Sequence, residues 1–125
     1  MKKHILVIDD DESMRKSLSR ILERHGYDVS TAMDGREGLK KFEGGGIDLI
    51  LTDIFMPDSD GLDVLLRLKK ENSKVKIISM SGGSKTLGQS DVFLNLAKDF
   101  GSHHAIKKPF SNDELLSVIK SLLPD

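Results

Sequence analysis

The chain contains no cysteine among its 125 residues, and this absence excludes several classes of site at once. Disulfide frameworks, thiolate zinc centres and cysteine nucleophiles all need a residue that the sequence does not have. The net charge of −1 leaves no overall field that would draw the chain to nucleic acid or to an anionic membrane. The first apolar run ends at Ile8, which is too short for a signal peptide or a membrane span. We therefore expect a cytoplasmic protein with no direct nucleic-acid or membrane partner.

What the sequence does contain is typical of one ordinary globular domain. Hydrophobic residues make up 38% of the chain and charged residues 31%. We find no repeat, no low-complexity tract and no internal linker, so we expect a single domain over residues 1–125.

Short apolar runs alternate with segments of helical periodicity along the whole chain. The runs predict strands at 5–8, 27–32, 47–52, 75–80 and 105–106, with the second strand nearer an edge of the sheet. Apolar spacing and caps predict helices from 14 to Gly26, from Gly35 to Phe42 after a capping Asp34, over 62–68, over 92–100 and from Ser111 or Asn112 to 123. Five strands alternating with five helices predict an α/β fold: a doubly wound parallel sheet with helices on both faces.

Polar residues follow four of the five predicted strands at the point where each strand ends. Ligands of such sheets bind outside the carboxyl ends of the strands, so these side chains should converge. The residues are Asp9, Asp10 and Asp11 after the first strand, Asp53 after the third, Ser81 after the fourth, and Lys107 and Lys108 after the fifth.

Carboxylates that converge at one edge repel each other unless a cation lies between them. Oxygen ligands without histidine or cysteine select a hard ion, and a few carboxylates with a carbonyl and waters suit Mg²⁺. We expect Asp10 and Asp53 to bind the ion directly and Asp9 to bind it directly or through water. The backbone carbonyl of Phe55 is the expected remaining protein ligand.

The opposite charge at this edge comes from Lys108, which is held by the rigid Pro109. A carboxylate nucleophile, a divalent ion, a lysine and a hydroxyl together form a phosphoryl-transfer set. In this set Asp53 is the acceptor, Lys108 neutralises phosphoryl oxygens and Ser81 donates a hydrogen bond to one of them.

Some residues near these motifs have a simpler structural interpretation. We interpret Asp11, Glu12 and Asp58 as solvated helix starts or turn formers rather than ligands. Lys107 is interpreted as a solvated neighbour of Lys108. His103 and His104 are interpreted as surface residues, because two histidines in a loop are usually not a site.

The chain resembles the receiver domain of two-component response regulators, the CheY-like family, in four motifs that occur in family order. They are Asp9-Asp10, Asp53-x-x-Met56-Pro57-x-x-Asp60-Gly61, Ser81-Gly82 and Lys108-Pro109-Phe110. The resemblance covers essentially the whole chain and implies the strand order 2-1-3-4-5. It also implies transfer of a phosphoryl group to Asp53 from a sensor histidine kinase or a histidine phosphotransfer protein, with Mg²⁺ as cofactor. The product acyl phosphate would hydrolyse again, and Ser81 would move to change the binding of a downstream protein target or a second copy of the chain.

The sequence departs from the family in two places. The family usually carries Tyr or Phe three residues before the lysine, where this chain has Ala105, so the aromatic half of the usual switch is missing. The stretch between Ser81 and Lys108 is also longer than expected, with added glycine and polar residues at 82–90. In addition, the family resemblance suggests that Phe55, two residues after Asp53, affects the access of water to the phosphoryl group.

Two alternative functions remain at this stage. Asp9-x-Asp11-x-Ser13 resembles the signature of haloacid dehalogenase phosphatases, in which Asp9 would be the nucleophile, although the chain lacks room for their cap. The absence of an aromatic residue at Ala105 instead favours a receiver-like binding module that acts without phosphorylation. Our main expectation is a phosphoacceptor and not a turnover enzyme.

Overall fold

The strands and helices of the chain are seen in a computed structural model that describes residues 2–53, 55–56, 59–60, 67, 70, 74–81 and 103–124. The strands are His4–Ile8 (β1), Asp28–Ala32 (β2), Leu49–Asp53 (β3), Phe55–Met56 (β4), Ser59–Asp60 (β5), Lys76–Ser81 (β6) and His104–Lys107 (β7). Within this part of the chain the helices are Glu12–Arg24 (α1), Gly35–Glu43 (α2) and Asn112–Leu122 (α3). Of the predicted helix over 62–68 only Arg67 is described, and the predicted helix over 92–100 and the polar stretch at 82–90 lie outside the described residues.

Five strands form one sheet in the order β2-β1-β3-β6-β7, and all neighbouring pairs are parallel. The predicted fold class and the order 2-1-3-4-5 of the five main strands are therefore confirmed. The edge position predicted for the second strand is also confirmed. β4 and β5 form a separate antiparallel pair of two residues each, in the segment that follows β3.

The inner strands are buried on both faces, as their continuous apolar sequences indicate. All five residues of β3 are buried, whereas β2 at the edge has only Ala32 fully buried. β3 starts two residues later than predicted and includes Asp53 as its last residue, where it lies in register with Met80. The acidic side chain is thus held by the sheet itself rather than by the loop that follows.

Side chains alternate between two cores, one on each face of the sheet. On one face, Leu6, Ile8 and Ile50 pack with Phe42 and with the half-buried Leu39 of α2. The opposite core joins the sheet to α1 and α3, and its members include Ile5, Val7, Leu51, Ile78, Leu18, Leu22, Leu115 and Ile119. Burial on both faces fixes the strand register, and so it fixes where the strand ends meet.

The ends of α1 follow from local side-chain and backbone chemistry. Asp11 accepts hydrogen bonds from the N–H groups of Ser13 and Met14, so it caps the helix, whereas the sequence predicted only a solvated residue at the helix start. At the other end Gly26 has a φ of +90°, its N–H donates to the Glu23 carbonyl, and the next N–H donates to the Leu22 carbonyl. This is the glycine-dependent Schellman ending, and it turns the chain into β2.

The other two helices begin at the residues that the sequence predicted. The Asp34 side chain accepts from the Glu37 N–H at the start of α2, and Ser111 accepts from the Glu114 N–H at the start of α3. None of the helices found among the described residues has the length and apolar character needed to span a membrane.

Candidate functional site

Asp9 is held at the carboxyl edge of the sheet by contacts to both of its carboxylate oxygens. It directly follows β1 and its side chain is completely buried. Its N–H donates to the Ala32 carbonyl at 3.1 Å, and its Oδ1 accepts the Asp11 N–H at 3.0 Å. Oδ2 accepts a hydrogen bond from the ammonium of Lys108 at 2.7 Å. Both carboxylate oxygens are therefore already engaged in contacts that fix the side chain.

Asp53 lies beside Asp9 because β1 and β3 are neighbours in the sheet. The residue is only 5% exposed, and its Oδ2 accepts a hydrogen bond from Lys108 Nζ at 3.0 Å. Its own carbonyl accepts from the Thr52 hydroxyl at 3.1 Å. A nearly buried carboxylate with one oxygen bound to an ammonium is fixed in orientation at this edge.

Asp10 is the exposed member of the acidic group. One carboxylate oxygen from each of Asp9, Asp10 and Asp53 lies within 4.8 Å of the others. We call these three side chains the acidic cluster. Their convergence follows the rule that polar residues at the carboxyl ends of parallel strands meet at one edge.

Lys108 places its ammonium between the two buried carboxylates of the acidic cluster. Its side chain is 16% exposed, and a cis peptide bond joins it to Pro109. Burial by itself would lower the pKa of the Lys108 ammonium. The hydrogen bond to Asp9 and the charge of Asp53 outweigh this effect, so the pKa lies above its ordinary value of 10.5. The ammonium is therefore charged at neutral pH.

The charges and donor atoms of the acidic cluster fit a divalent cation. Three carboxylates face one ammonium, so the described side chains at this position leave an excess of negative charge. The available donors are hard oxygen atoms, which suit Mg²⁺, Ca²⁺ or Mn²⁺ and not soft metals. The exposed Asp10 leaves the cluster open to solvent on one side. This edge of the sheet is thus an acidic pocket with the composition of a cation site.

The remaining predicted site residues are only partly described. Ser81 ends β6 in register with Lys107, so its backbone is at the same edge, but its side chain lies outside the described part of the structure. Phe55 opens β4 two residues after Asp53 and pairs with Asp60. For Phe55, too, only the backbone is described.

His103 lies just before β7 and His104 is the first residue of that strand, and the contacts of His103 are structural. The His103 N–H donates to the Ile77 carbonyl at 2.7 Å, and its ring Nδ1 accepts the Ile77 N–H at 3.1 Å. His103 thereby extends the β6–β7 ladder at the amino end of β7, while Lys108 lies just beyond the carboxyl end of that strand. We interpret His103 as a structural residue.

The sequence reasoning missed the contact that Arg15 of α1 makes with the loop that carries the acidic cluster. Helical spacing places Arg15 on the polar side of α1, but its Nη1 donates to the Asp9 carbonyl at 2.7 Å. A basic residue in the first turn of a helix is unfavourable for the helix dipole. This exception is the signal in the sequence that Arg15 has another partner.

The contacts of Asp9 weigh against its use as a nucleophile. Its carboxylate is fully buried and accepts hydrogen bonds at both oxygens. The haloacid dehalogenase hypothesis requires an Asp9 oxygen to attack a substrate, so the geometry does not favour that alternative.

Comparison with known proteins identifies what this arrangement is similar to. A family model described as the response regulator receiver domain matches residues 5–120. The alkaline phosphatase synthesis transcriptional regulatory protein PhoP of Bacillus subtilis is 38% identical over 123 residues, which are 98% of this chain and 49% of PhoP. The transcriptional regulatory protein FixJ of Bradyrhizobium diazoefficiens is 34% identical over a match that covers 98% of this chain and 57% of FixJ. The chain spans about half the length of the curated relatives it matches.

Solved structures agree with these sequence matches. A CheY-like receiver domain protein from Methanospirillum hungatei has a TM-score of 0.86 at 34% identity, covering 97% of this chain and 93% of that protein. The response regulator TrrA of Thermotoga maritima was solved in complex with Mg²⁺ and beryllofluoride. It has a TM-score of 0.82 at 36% identity, covering 97% of this chain and 99% of TrrA. The beryllofluoride-activated NtrC4 receiver domain dimer has a TM-score of 0.84 at 34% identity, over 95% of this chain and 94% of that one.

Proposed function

Because the chain belongs to the response regulator receiver domain family of two-component signalling, we propose that Asp53 is its phosphoacceptor. The observation that supports this proposal most strongly is the position of the Lys108 ammonium between Asp53 and Asp9. Asp10 completes the acidic cluster at this point. The phosphoryl donor in this proposal is a sensor histidine kinase or a histidine phosphotransfer protein.

The cofactor in this proposal is Mg²⁺. Asp10 and Asp53 would bind it directly, Asp9 would bind it directly or through water, and the Phe55 carbonyl would supply a further oxygen. The excess negative charge of the acidic cluster supports this assignment, as does the Mg²⁺–beryllofluoride complex of TrrA. When bound, the ion supplies positive charge that offsets the charge on the phosphoryl oxygens.

The transfer requires Asp53 to remain ionised and correctly oriented. An Oδ atom of Asp53 attacks the phosphorus of a phosphohistidine, and a P–O bond forms while the P–N bond breaks. The electron pair of the P–N bond stays on the imidazole, which takes up a proton from solvent. Lys108 forms an ion pair with Asp53 Oδ2, and its ammonium would bind a phosphoryl oxygen after transfer.

Ser81 and Phe55 complete the proposed site. The backbone of Ser81 ends β6 at the same edge as Asp53, and its hydroxyl would donate a hydrogen bond to a phosphoryl oxygen. Phe55 would limit the access of water and so affect the lifetime of the acyl phosphate, which finally hydrolyses. These roles make the chain a phosphoacceptor that reverses its own state rather than a turnover enzyme.

The proposed output is a change in protein binding in the cytoplasm. The partner is a downstream protein target or a second copy of the chain, and the NtrC4 receiver dimer is a precedent for the second case. Ala105 lies half-buried in β7 in register with Ser79, at the position where the family usually carries an aromatic residue. We therefore expect the output to depend on Ser81 without an aromatic partner at position 105.

Incubation with acetyl phosphate and Mg²⁺ tests the acceptor directly. Intact-mass measurement should show the gain of one phosphoryl group, which hydroxylamine removes because it cleaves acyl phosphates. Asp53→Asn should abolish the gain, whereas the same substitution at the exposed Asp28, at the other end of the sheet, should not. A gain that survives in Asp53→Asn, or that maps to Asp9, contradicts the proposal.

A binding module that acts without phosphorylation is the second candidate, and Ala105 is the observation that favours it. Calorimetric titration with Mg²⁺, followed by beryllofluoride, separates the two functions. Beryllofluoride should change the oligomeric state or the partner affinity of a phosphorylation switch. No Mg²⁺ binding, or an unchanged state after beryllofluoride, would favour the second candidate.

A further inference from the structure

Arg15 reaches back from the first turn of α1 to the loop that carries the acidic cluster. Its half-buried side chain donates a hydrogen bond from Nη1 to the Asp9 carbonyl at 2.7 Å. That carbonyl belongs to the peptide unit that joins Asp9 to Asp10, and a peptide unit is planar. The hydrogen bond from the guanidinium therefore fixes the orientation of the peptide plane that precedes the Asp10 Cα atom.

Asp10 depends on its backbone for its position. Its side chain is exposed and makes no hydrogen bond or ion pair to any described residue, unlike the carboxylates of Asp9 and Asp53. The peptide unit after Asp10 is fixed from within the loop, because the Asp11 N–H donates to Asp9 Oδ1. The peptide unit before it is fixed from outside the loop, by Arg15.

We propose that Arg15 is a positioning residue that sets the affinity of the acidic cluster for Mg²⁺ through the Asp9 carbonyl. The inference rests on the proposed function, since it assumes that Asp10 is a ligand of the ion. Residues that orient metal ligands typically change metal affinity by about 10–100-fold when they are replaced. We expect the lower end of this range, because Arg15 acts on the backbone of the ligand and not on its carboxylate.

The direction of the change distinguishes positioning from simple charge. The guanidinium is a positive group near a cation site, so its charge alone opposes the binding of Mg²⁺. If Arg15 acted only through charge, a neutral side chain would tighten Mg²⁺ binding. If it positions Asp10, the same change weakens Mg²⁺ binding.

Calorimetric titration of the full chain with Mg²⁺ tests this difference. Arg15→Met, which keeps helix propensity nearly unchanged, should weaken Mg²⁺ binding about tenfold. Arg15→Lys should restore part of the affinity, since it keeps a donor on a long side chain. Arg20→Met is the matched control, because Arg20 lies beside Arg15 along a cavity of about 490 Å³ and makes no described bond to the loop. Equal or tighter binding in Arg15→Met overturns the inference.

Phosphorylation by acetyl phosphate supplies an independent readout. The Mg²⁺ concentration for half-maximal rate should rise about tenfold in Arg15→Met, while the rate at saturating Mg²⁺ stays close to that of the unchanged chain. A decrease in the rate at saturating Mg²⁺, with no change in the Mg²⁺ concentration for half-maximal rate, contradicts a positioning role. If Arg15→Met does not fold, Arg15→Gln, with a shorter polar side chain, takes its place in the same comparison. Failure of the unchanged chain to bind Mg²⁺ would refute the proposed function, whereas normal binding in both chains would refute only the role of Arg15.

Discussion

Gly38 of α2 packs directly against Ile8, the last residue of β1. A Cβ atom added at Gly38 would lie 2.9 Å from Ile8 Cγ1 and even closer to Cδ1. Ile8 is fully buried and is followed directly by Asp9. The close approach of α2 to β1 therefore helps to hold the backbone of Ile8 in place, directly before Asp9 of the acidic cluster.

Gly38→Ala should lower the free energy of unfolding, although alanine favours a helix over glycine by about 1 kcal/mol. Overpacking a well-filled core typically costs about 1–3 kcal/mol, so we expect a net loss of about 1 kcal/mol. Ile8→Val removes the Cδ1 atom and should relieve part of this strain. Urea denaturation of the single and double variants measures the coupling, which we expect to exceed about 0.5 kcal/mol. Additive effects, or a more stable Gly38→Ala chain, would show that the contact does not restrict this position.

Asp10→Asn should stabilise the chain when no Mg²⁺ is present. The substitution removes one of three carboxylates whose oxygen atoms lie within 4.8 Å of one another, so it relieves repulsion. Since Asp10 is exposed and screened by solvent, we expect a rise of roughly 2–4 °C in the unfolding temperature at low salt.

Mg²⁺ should reverse the order of the unfolding temperatures of the unchanged chain and Asp10→Asn. A ligand that binds only the folded state raises its stability, so Mg²⁺ should raise the unfolding temperature of the unchanged chain and have little effect on Asp10→Asn. Asp28→Asn removes the same charge at the opposite end of the sheet and should respond to Mg²⁺ like the unchanged chain. A full Mg²⁺ response in Asp10→Asn would exclude Asp10 as a ligand.

The residues that sequence reasoning placed correctly are those governed by short-range or topological rules. The cap at Asp34 depends on a backbone group three residues away, so it can be predicted from the local sequence. The meeting of Asp9, Asp53 and Lys108 depends on the topology of a parallel sheet, which strand and helix alternation predicts.

What the sequence did not predict depends on contacts between distant or flexible groups. The direction in which the Arg15 side chain points is set by its rotamer and by the loop after β1, and helical periodicity describes neither. Likewise, the inclusion of Asp53 in β3 follows from its pairing with Met80 across the sheet. The apolar run of the third strand only indicated that the strand stops near this point.

Lys108→Met tests how far the acidic cluster depends on its only described ammonium. The change leaves the fully buried Asp9 and the nearly buried Asp53 without that partner. Removing one member of a buried ion pair typically costs about 3–5 kcal/mol, and we expect about 3 kcal/mol because Lys108 keeps some exposure. Lys107→Met, at the exposed neighbouring position, should cost much less.

The pH dependence of this loss follows from the raised pKa of Lys108. A group whose pKa is higher in the folded chain contributes stability that is complete below its ordinary value of 10.5 and disappears as pH rises through the folded value. The difference in unfolding free energy between the unchanged chain and Lys108→Met should thus stay constant through neutral pH and shrink only above 10.5. Urea denaturation without Mg²⁺, repeated at increasing pH, measures this difference, with Lys107→Met correcting for the titration of other lysines. A difference that already falls near neutral pH would mean that another group, and not the Lys108 ammonium, holds the two carboxylates together.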